Sequence, residues 1–189
     1  MAIKPIYNCF HPVLNKPTTK VENIDFSVKQ IANDLIDTLK KISNGVGLAA
    51  NQIGATQSVL YIDISIVDEF KNVKPIIMIN PEIIKFSEEK VIDQEGCLSI
   101  PDFYEEVERP DNILVKYYDL QEKEHIEEVS GYLSRVMQHE IDHLNGILFY
   151  QRLSPLKKTL SKNKLNKIKK GIILPDYPFV LPDGTLVNS

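Results

Sequence analysis

Between Ser27 and Gly45 the apolar residues Val28, Ile31, Leu35, Leu39 and Ile42 recur three and four positions apart, the spacing of one helical face. Ser27 followed by Gln30 reads as a capping box at its start. Lys40 and Lys41 in the last turn, then Asn44 and Gly45, mark its end. The period then shortens to that of strands. SVLYIDI, PIIMIN, the stretch from Ile83 to Ile92, FYEEVERP, NILVKYYDL and HIEEVS follow one another through short turns with no helix between them. That order predicts antiparallel pairing rather than a doubly wound parallel sheet, and an α+β class. From Ser130 to about Asn145, GYLSRVMQHEIDHLN has apolar residues around most of its circumference, including Leu133, Val136, Met137, Ile141 and Leu144, so this helix belongs in the core. A last helix starts with Ser154 as N-cap and Pro155 at the first helical position and ends at Gly171, its apolar arc broken by Lys164. The predicted architecture is short antiparallel sheets around a buried central helix, with a C-terminal helix.

The chain has 189 residues, 43% of them hydrophobic, enough to bury one substantial core. Residues 1–189 read as a single domain, with a basic helix and tail from about 154 to 189. No repeat or low-complexity linker interrupts the first 150 residues. No apolar run reaches the length of a membrane span and the N-terminus has no targeting pattern, so the expectation is a soluble, cytoplasmic protein with no membrane partner. The charge is uneven: residues 1–150 carry 14 Lys and Arg against 24 Asp and Glu, residues 151–189 carry 8 against 2. A basic tail of this kind suits either a polyanionic partner or a solvated helix face, and nothing points to DNA.

Residues 45–54 read GVGLAANQIG, whose first six satisfy the G-x-G-x-x-[GA] spacing of dinucleotide loops. That spacing cradles a pyrophosphate only where a strand enters the glycines and a helix leaves them. Here a helix precedes and a strand follows. The segment is therefore expected to be a tight connection whose glycines clear space for something other than phosphate.

Within the buried helix HEIDH, residues 139–143, puts His139 and His143 one turn apart, where both imidazoles can reach one metal ion. Glu140 projects toward the apolar arc, where desolvation should raise its pKa and suit it to proton transfer. A catalytic metal needs a third protein ligand. The metzincin extension fails because Phe149 stands where its last histidine should be, and after His143 the acids are Asp176 and Asp183 alone. The ligand must come from upstream. His11 and His125 are candidates, but Cys97, in the segment EGCLSIP with a glycine before it and Pro101 ending it, is favoured. With only Cys9 and Cys97 in the chain, a four-cysteine site is excluded.

Three segments in fixed order, GVGLAANQIG, EGCLSIP and QHEIDH, together resemble the signature of peptide deformylases, with every specified residue present from Gly45 through His143. The resemblance covers about Pro12 to about Pro155. FHPVL departs from the family's usual Gly-Asp before Pro-Val-Leu, and residues 172–189 match no motif. The resemblance implies that Cys97, His139 and His143 bind a divalent metal, characteristically Fe2+, with Zn2+, Ni2+ or Co2+ able to replace it. It implies that Glu140 exchanges protons with the attacking water, and that Gln52 and the Leu98 N–H face the formyl oxygen. Gly45, Val46 and Gly47 would lie along the bound peptide, and Val46, Tyr132 and Val136 are candidates for the methionine pocket. Substrates would be N-formylmethionyl peptides and nascent chains, and the ribosome is a candidate partner for the basic helix. A general zinc peptidase, a non-catalytic binder and a dinucleotide module are the rival classes; the last fails on element order.

Overall fold

A computed structural model describes residues 3–188. In chain order its regular elements are β1 (Ile6–Tyr7), α1 (Phe26–Leu39), β2 (Gly47–Ala49), β3 (Val59–Ile62), β4 (Ile76–Phe86), β5 (Lys90–Cys97) and β6 (Ile100–Pro110). These are followed by β7 (Asn112–Tyr118), β8 (Glu124–Ser130), α2 (Gly131–Leu144), α3 (Pro155–Lys169), β9 (Phe179–Val180) and β10 (Leu186–Val187). The class is α+β, as the pattern predicts.

A five-stranded antiparallel sheet in the order β2-β3-β4-β7-β8 carries α2 on one face. Leu60, Ile62, Met78, Ile113 and Val115 of the sheet pack there against Val136, Met137, Ile141 and Leu144 of the helix. Burying a side chain such as Met137, with no exposed surface, contributes roughly 1.5–3 kcal/mol. From Ser134 through Leu144 the helix is buried throughout, polar residues included. On the other side of the strands α1 supplies Val28, Ala32, Leu35 and Leu39 to a second cluster. The long hairpin β5-β6 is tied to α2 through Arg135, which donates to the carbonyls of Val91 and Val107, and Phe103 and Val107 on its inner face join Phe149, Leu165 and Ile168 in a third cluster.

Several boundaries differ from the sequence reading for identifiable reasons. The N-cap of α1 is Asp25, whose carboxylate accepts from Val28 N at 3.0 Å; Ser27, expected there, donates its own hydroxyl to Asp25. Asp is as good a cap as Ser, and here it comes first. PIIMIN and the start of the next segment are one strand, β4, which passes Pro81 through a β-bulge between Ile79 and Glu82. Pro81 has no N–H to give the ladder, so the register shifts around it. Its neighbour Asn80, at φ 51°, turns its amide to both the N–H and carbonyl of Val21.

The glycine segment is more than a connection. Gly47–Ala49 is strand β2, paired with β3, and Ala50–Ile53 is a 3₁₀ turn. Pro101 does not end the EGCLSIP segment but lies inside β6, since β5 and β6 are joined by Leu98 and Ser99 alone. The tail is ordered by distant partners: β9 pairs parallel with β1 and antiparallel with β10. The third helix is capped as expected, with Ser154 Oγ accepting from Lys157 N and Gly171 at φ 66° just beyond its end.

Candidate active site

Helix α2 presents His139 and His143 one turn apart, their ring centroids 4.9 Å from each other. The end of β5 brings Cys97 to them, with Sγ 3.2 Å from His143 Nε2. One donor atom from each of Cys97, His139 and His143 lies within 4.8 Å of the others. The alternatives sit elsewhere. His11 caps a 3₁₀ turn through Nδ1, and His125 pairs with Asp119 at 2.8 Å.

Which ring nitrogen of His139 faces the cluster is decided by Glu95. Glu95 Oε2 stands 2.9 Å from His139 Nδ1, so Nδ1 carries the proton and Nε2 is left to ligate. Burial pulls the Glu95 carboxyl up, but hydrogen bonds from His139 and Arg109 outweigh it and hold it well below the usual carboxylate range. Burial likewise opposes charge on His139, yet Cys97 and Glu95 hold its pKa well above the ordinary imidazole value, whereas burial and the His139 charge hold His143 well below it. A divalent cation held by His139 would take the place of a proton at Nε2 and leave the Nδ1 proton donated to Glu95.

Glu140, 4% exposed, has Oε2 without a hydrogen-bond partner among the described residues. Burial pushes its pKa up to about 7. Its carboxylate lies over Gly47 in β2, where a Cβ would fall 2.5 Å from Oε1. Gly45 is tight for a different reason, its missing Cβ pointing at the Leu39 side chain. Gln52 is 1% exposed and oriented from both ends: Oε1 accepts from Ala49 N at 2.8 Å, and Nε2 points to Ser99 Oγ at 3.3 Å and toward Cys97 Sγ at 3.7 Å. Asn51, beside it, ties the 3₁₀ turn to α2 through the His143 carbonyl.

Gln52, Cys97, His139 and Glu140 open onto a cleft of about 560 Å³. Gly45, Val46 and Gly47 form one side, Cys97 and Leu98 another, and Tyr132, Val136, His139 and Glu140 of α2 the floor. Tyr132 is stacked on Phe70 with ring centroids 5.3 Å apart. All the site residues expected from the sequence therefore border one cavity except His143, which meets it through Cys97.

The sequence reading missed the ionic layer beneath the site. Arg109 reaches Glu95 through two nitrogens and Asp142 through a third, Arg135 adds a donor to Glu95, and Arg152 pairs with Asp142. One signal was readable. In β6 Phe103, Glu105, Val107 and Arg109 share the inward face, and Arg109 is buried there beside Val107, which happens to a charge only with partners waiting. The sequence reading also missed residues 174–177, which form the remaining side of the cleft.

Residues 3–159 match the Polypeptide deformylase family. A peptide deformylase of Rhizobium meliloti is 43% identical over 170 residues, covering 90% of this chain and 96% of that protein. One from Agrobacterium fabrum is 41% identical over 92% of this chain and all of its own length. Among solved structures, a peptide deformylase from Legionella pneumophila superposes with a TM-score of 0.80 at 37% identity, over 92% of this chain and 100% of that one. A plant peptide deformylase gives a TM-score of 0.83 at 27% identity over 91% and 92% of the two chains.

Proposed function

This chain belongs to the polypeptide deformylase family, and from that premise we propose how its own residues remove the formyl group from the N-terminal methionine of nascent proteins. The enzyme is a metal-dependent hydrolase. The observation that carries the residue assignment is the convergence of the Cys97, His139 and His143 donor atoms within 4.8 Å beside a buried, unpartnered Glu140 oxygen.

Cys97, His139 and His143 would hold the metal. A thiolate with two imidazoles fits a borderline divalent ion, and Fe2+ is the proposed resident, with Zn2+, Ni2+ or Co2+ accepted by the same donors. When bound, such an ion lowers the pKa of its water from ~15.7 toward ~7. Glu140 accepts a proton from the water that attacks the formyl carbon, then returns it to the amide nitrogen as the C–N bond breaks. Its burial and its position against Gly47 hold the carboxylate in place for both transfers. Gln52 Nε2, fixed by the bond from Ala49 to its other end, and the Leu98 N–H donate to the oxyanion. Formate and a free methionine amine leave.

The backbone of Gly45, Val46 and Gly47 takes the peptide chain, and Val46, Tyr132 and Val136 receive the methionine side chain in an apolar corner of the cleft. The unit includes the tail, because β9 pairs with β1 and returns the C-terminal segment to the N-terminus. Among the described residues no helix is long and apolar enough to cross a membrane, and the cytoplasm, where nascent chains emerge, is the proposed location. On α3, Lys157 and Lys164 are paired with acids of β6, leaving Lys158, Lys162, Lys167, Lys169 and Lys170 exposed for ribosomal RNA.

Protein purified without oxygen should contain metal at one equivalent per chain and release formate from a formyl-Met peptide but not acetate from its acetyl counterpart. Cleavage of internal peptide bonds instead would mark a general peptidase.

A further inference from the structure

The tail beyond Gly171 carries no motif, and the family match ends at residue 159, yet residues 174–177 form a side of the active cleft. Tyr177 ties this segment to the turn beside Cys97. Its hydroxyl donates to the carbonyl of Leu98 at 2.8 Å. Burial pushes the Tyr177 pKa well above the usual phenol range, which keeps the proton on this donor.

Leu98 and Ser99 are the whole turn between β5 and β6. Leu98 stands between Cys97 and Ser99, whose Oγ accepts from Gln52 Nε2. Such a turn has few ladder bonds of its own, so its peptides adopt the direction that outside partners impose. The Ser99 carbonyl is held by Cys9 N at 2.9 Å and the Leu98 carbonyl by Tyr177. The tail in turn is held at both ends. Upstream, α3 ends at Lys169, Gly171 follows at φ 66°, and Ile172 N bonds back to Lys167 O at 2.9 Å. Downstream, β9 is paired with Ile6 and Tyr7, and Asn188 Nδ2 donates to Pro175 O.

We infer that Tyr177 is a positioning residue for deformylation: its hydroxyl fixes the Leu98–Ser99 peptide and so aims the adjoining Leu98 N–H at the formyl oxygen. This rests on the reading of the Leu98 N–H as an oxyanion donor. An oxyanion donor acts only if its direction is set before the charge develops, because turning it during the reaction costs what it would contribute. Tyr177 provides that setting from a segment outside the family match.

The test is Tyr177→Phe, which keeps the ring and its edge contact with Phe179 and removes only the hydroxyl. Steady-state kinetics on formyl-Met-Ala-Ser should show kcat lower by about 10-fold, the order expected when one hydrogen bond no longer holds a reacting-site donor. KM should stay within about 2-fold, since ground-state binding is untouched. Metal per chain and thermal midpoint should equal those of the wild type. An unchanged kcat overturns the inference. So does a loss of activity that merely tracks lost metal or lost folded protein, because Tyr177 would then be a packing residue. Wild-type protein that carries its metal and releases no formate would instead overturn the deformylase reading, and this inference with it.

Discussion

A Cβ added to Gly47 would stand 2.5 Å from Glu140 Oε1 and 2.8 Å from its carboxyl carbon. The glycine in β2 and the acid in α2 are therefore one arrangement: the strand has no side chain at the place where the carboxylate lies. Gly47 also pairs with Ile62 in the sheet, so the backbone cannot retreat without breaking the ladder. Glu140 is the group that must move if anything is added.

Gly47→Ala should displace the Glu140 carboxylate and lower kcat by roughly 100-fold, the penalty associated with about 1 Å of misplacement. Metal content should be unchanged, because the atoms nearest to the added Cβ all belong to Glu140 and none to Cys97, His139 or His143. A crystal structure of the variant should show Glu140 rotated, and an undisturbed carboxylate with full activity would contradict the account.

Replacing Gln52 by Leu would remove the proposed oxyanion donor and keep the volume. Comparable losses cost roughly 100- to 1,000-fold in turnover. Because Gln52 Oε1 also accepts from Ala49 N, Gln52→Glu is the informative companion: it retains that acceptor while losing the amide donor. Both variants should be slow with normal metal content. Turnover near the wild-type rate in Gln52→Glu would remove the amide from the mechanism.

Cys97→Ala should bind the metal far more weakly while leaving the fold intact, since Cys97 is only partly buried at the end of its strand. Equilibrium dialysis against a chelator series measures the change. Full occupancy in Cys97→Ala would mean that the thiolate is not a ligand. In the wild type, peroxide treatment should modify Cys97 and lower metal content and activity together.

Arg109 tests the ionic layer. It is 2% exposed and neutralises both Glu95 and Asp142, so Arg109→Leu leaves two buried carboxylates short of a partner. Breaking such a network from one side costs about 3–5 kcal/mol. Denaturant unfolding should show a loss of that size, and His139, no longer oriented by a pinned Glu95, should bind metal less tightly. A change below about 1 kcal/mol would mean that the network contributes little.

The parts of this site legible in the sequence are those carried by local spacing. His139, Glu140 and His143 follow from helical geometry, and the elimination of ligands after His143 directs attention upstream to Cys97. Glu95 could have been read from strand geometry, since residues two apart share a face and Cys97 was already singled out. Arg109 was signalled by its place on the apolar side of β6. Tyr177 had no such signal. It is placed by the two-residue strand β9, whose parallel partner β1 lies more than 170 positions upstream, and pairing that is neither periodic nor local leaves no trace in composition or spacing. The misplacement of the α1 cap has a smaller cause: Asp25 and Ser27 are both good caps two residues apart, and only the geometry of the entering chain selects between them.

The central claim is that Glu140, lying between two metal ligands on one helix, carries the proton from the attacking water to the departing amine. The most direct measurement is formate release from a formyl-Met peptide by Glu140→Gln, with metal per chain determined on the same sample. The account predicts full metal occupancy with turnover reduced by roughly 100- to 10,000-fold, the range for loss of a general acid–base. Near-normal formate release at full occupancy would contradict it.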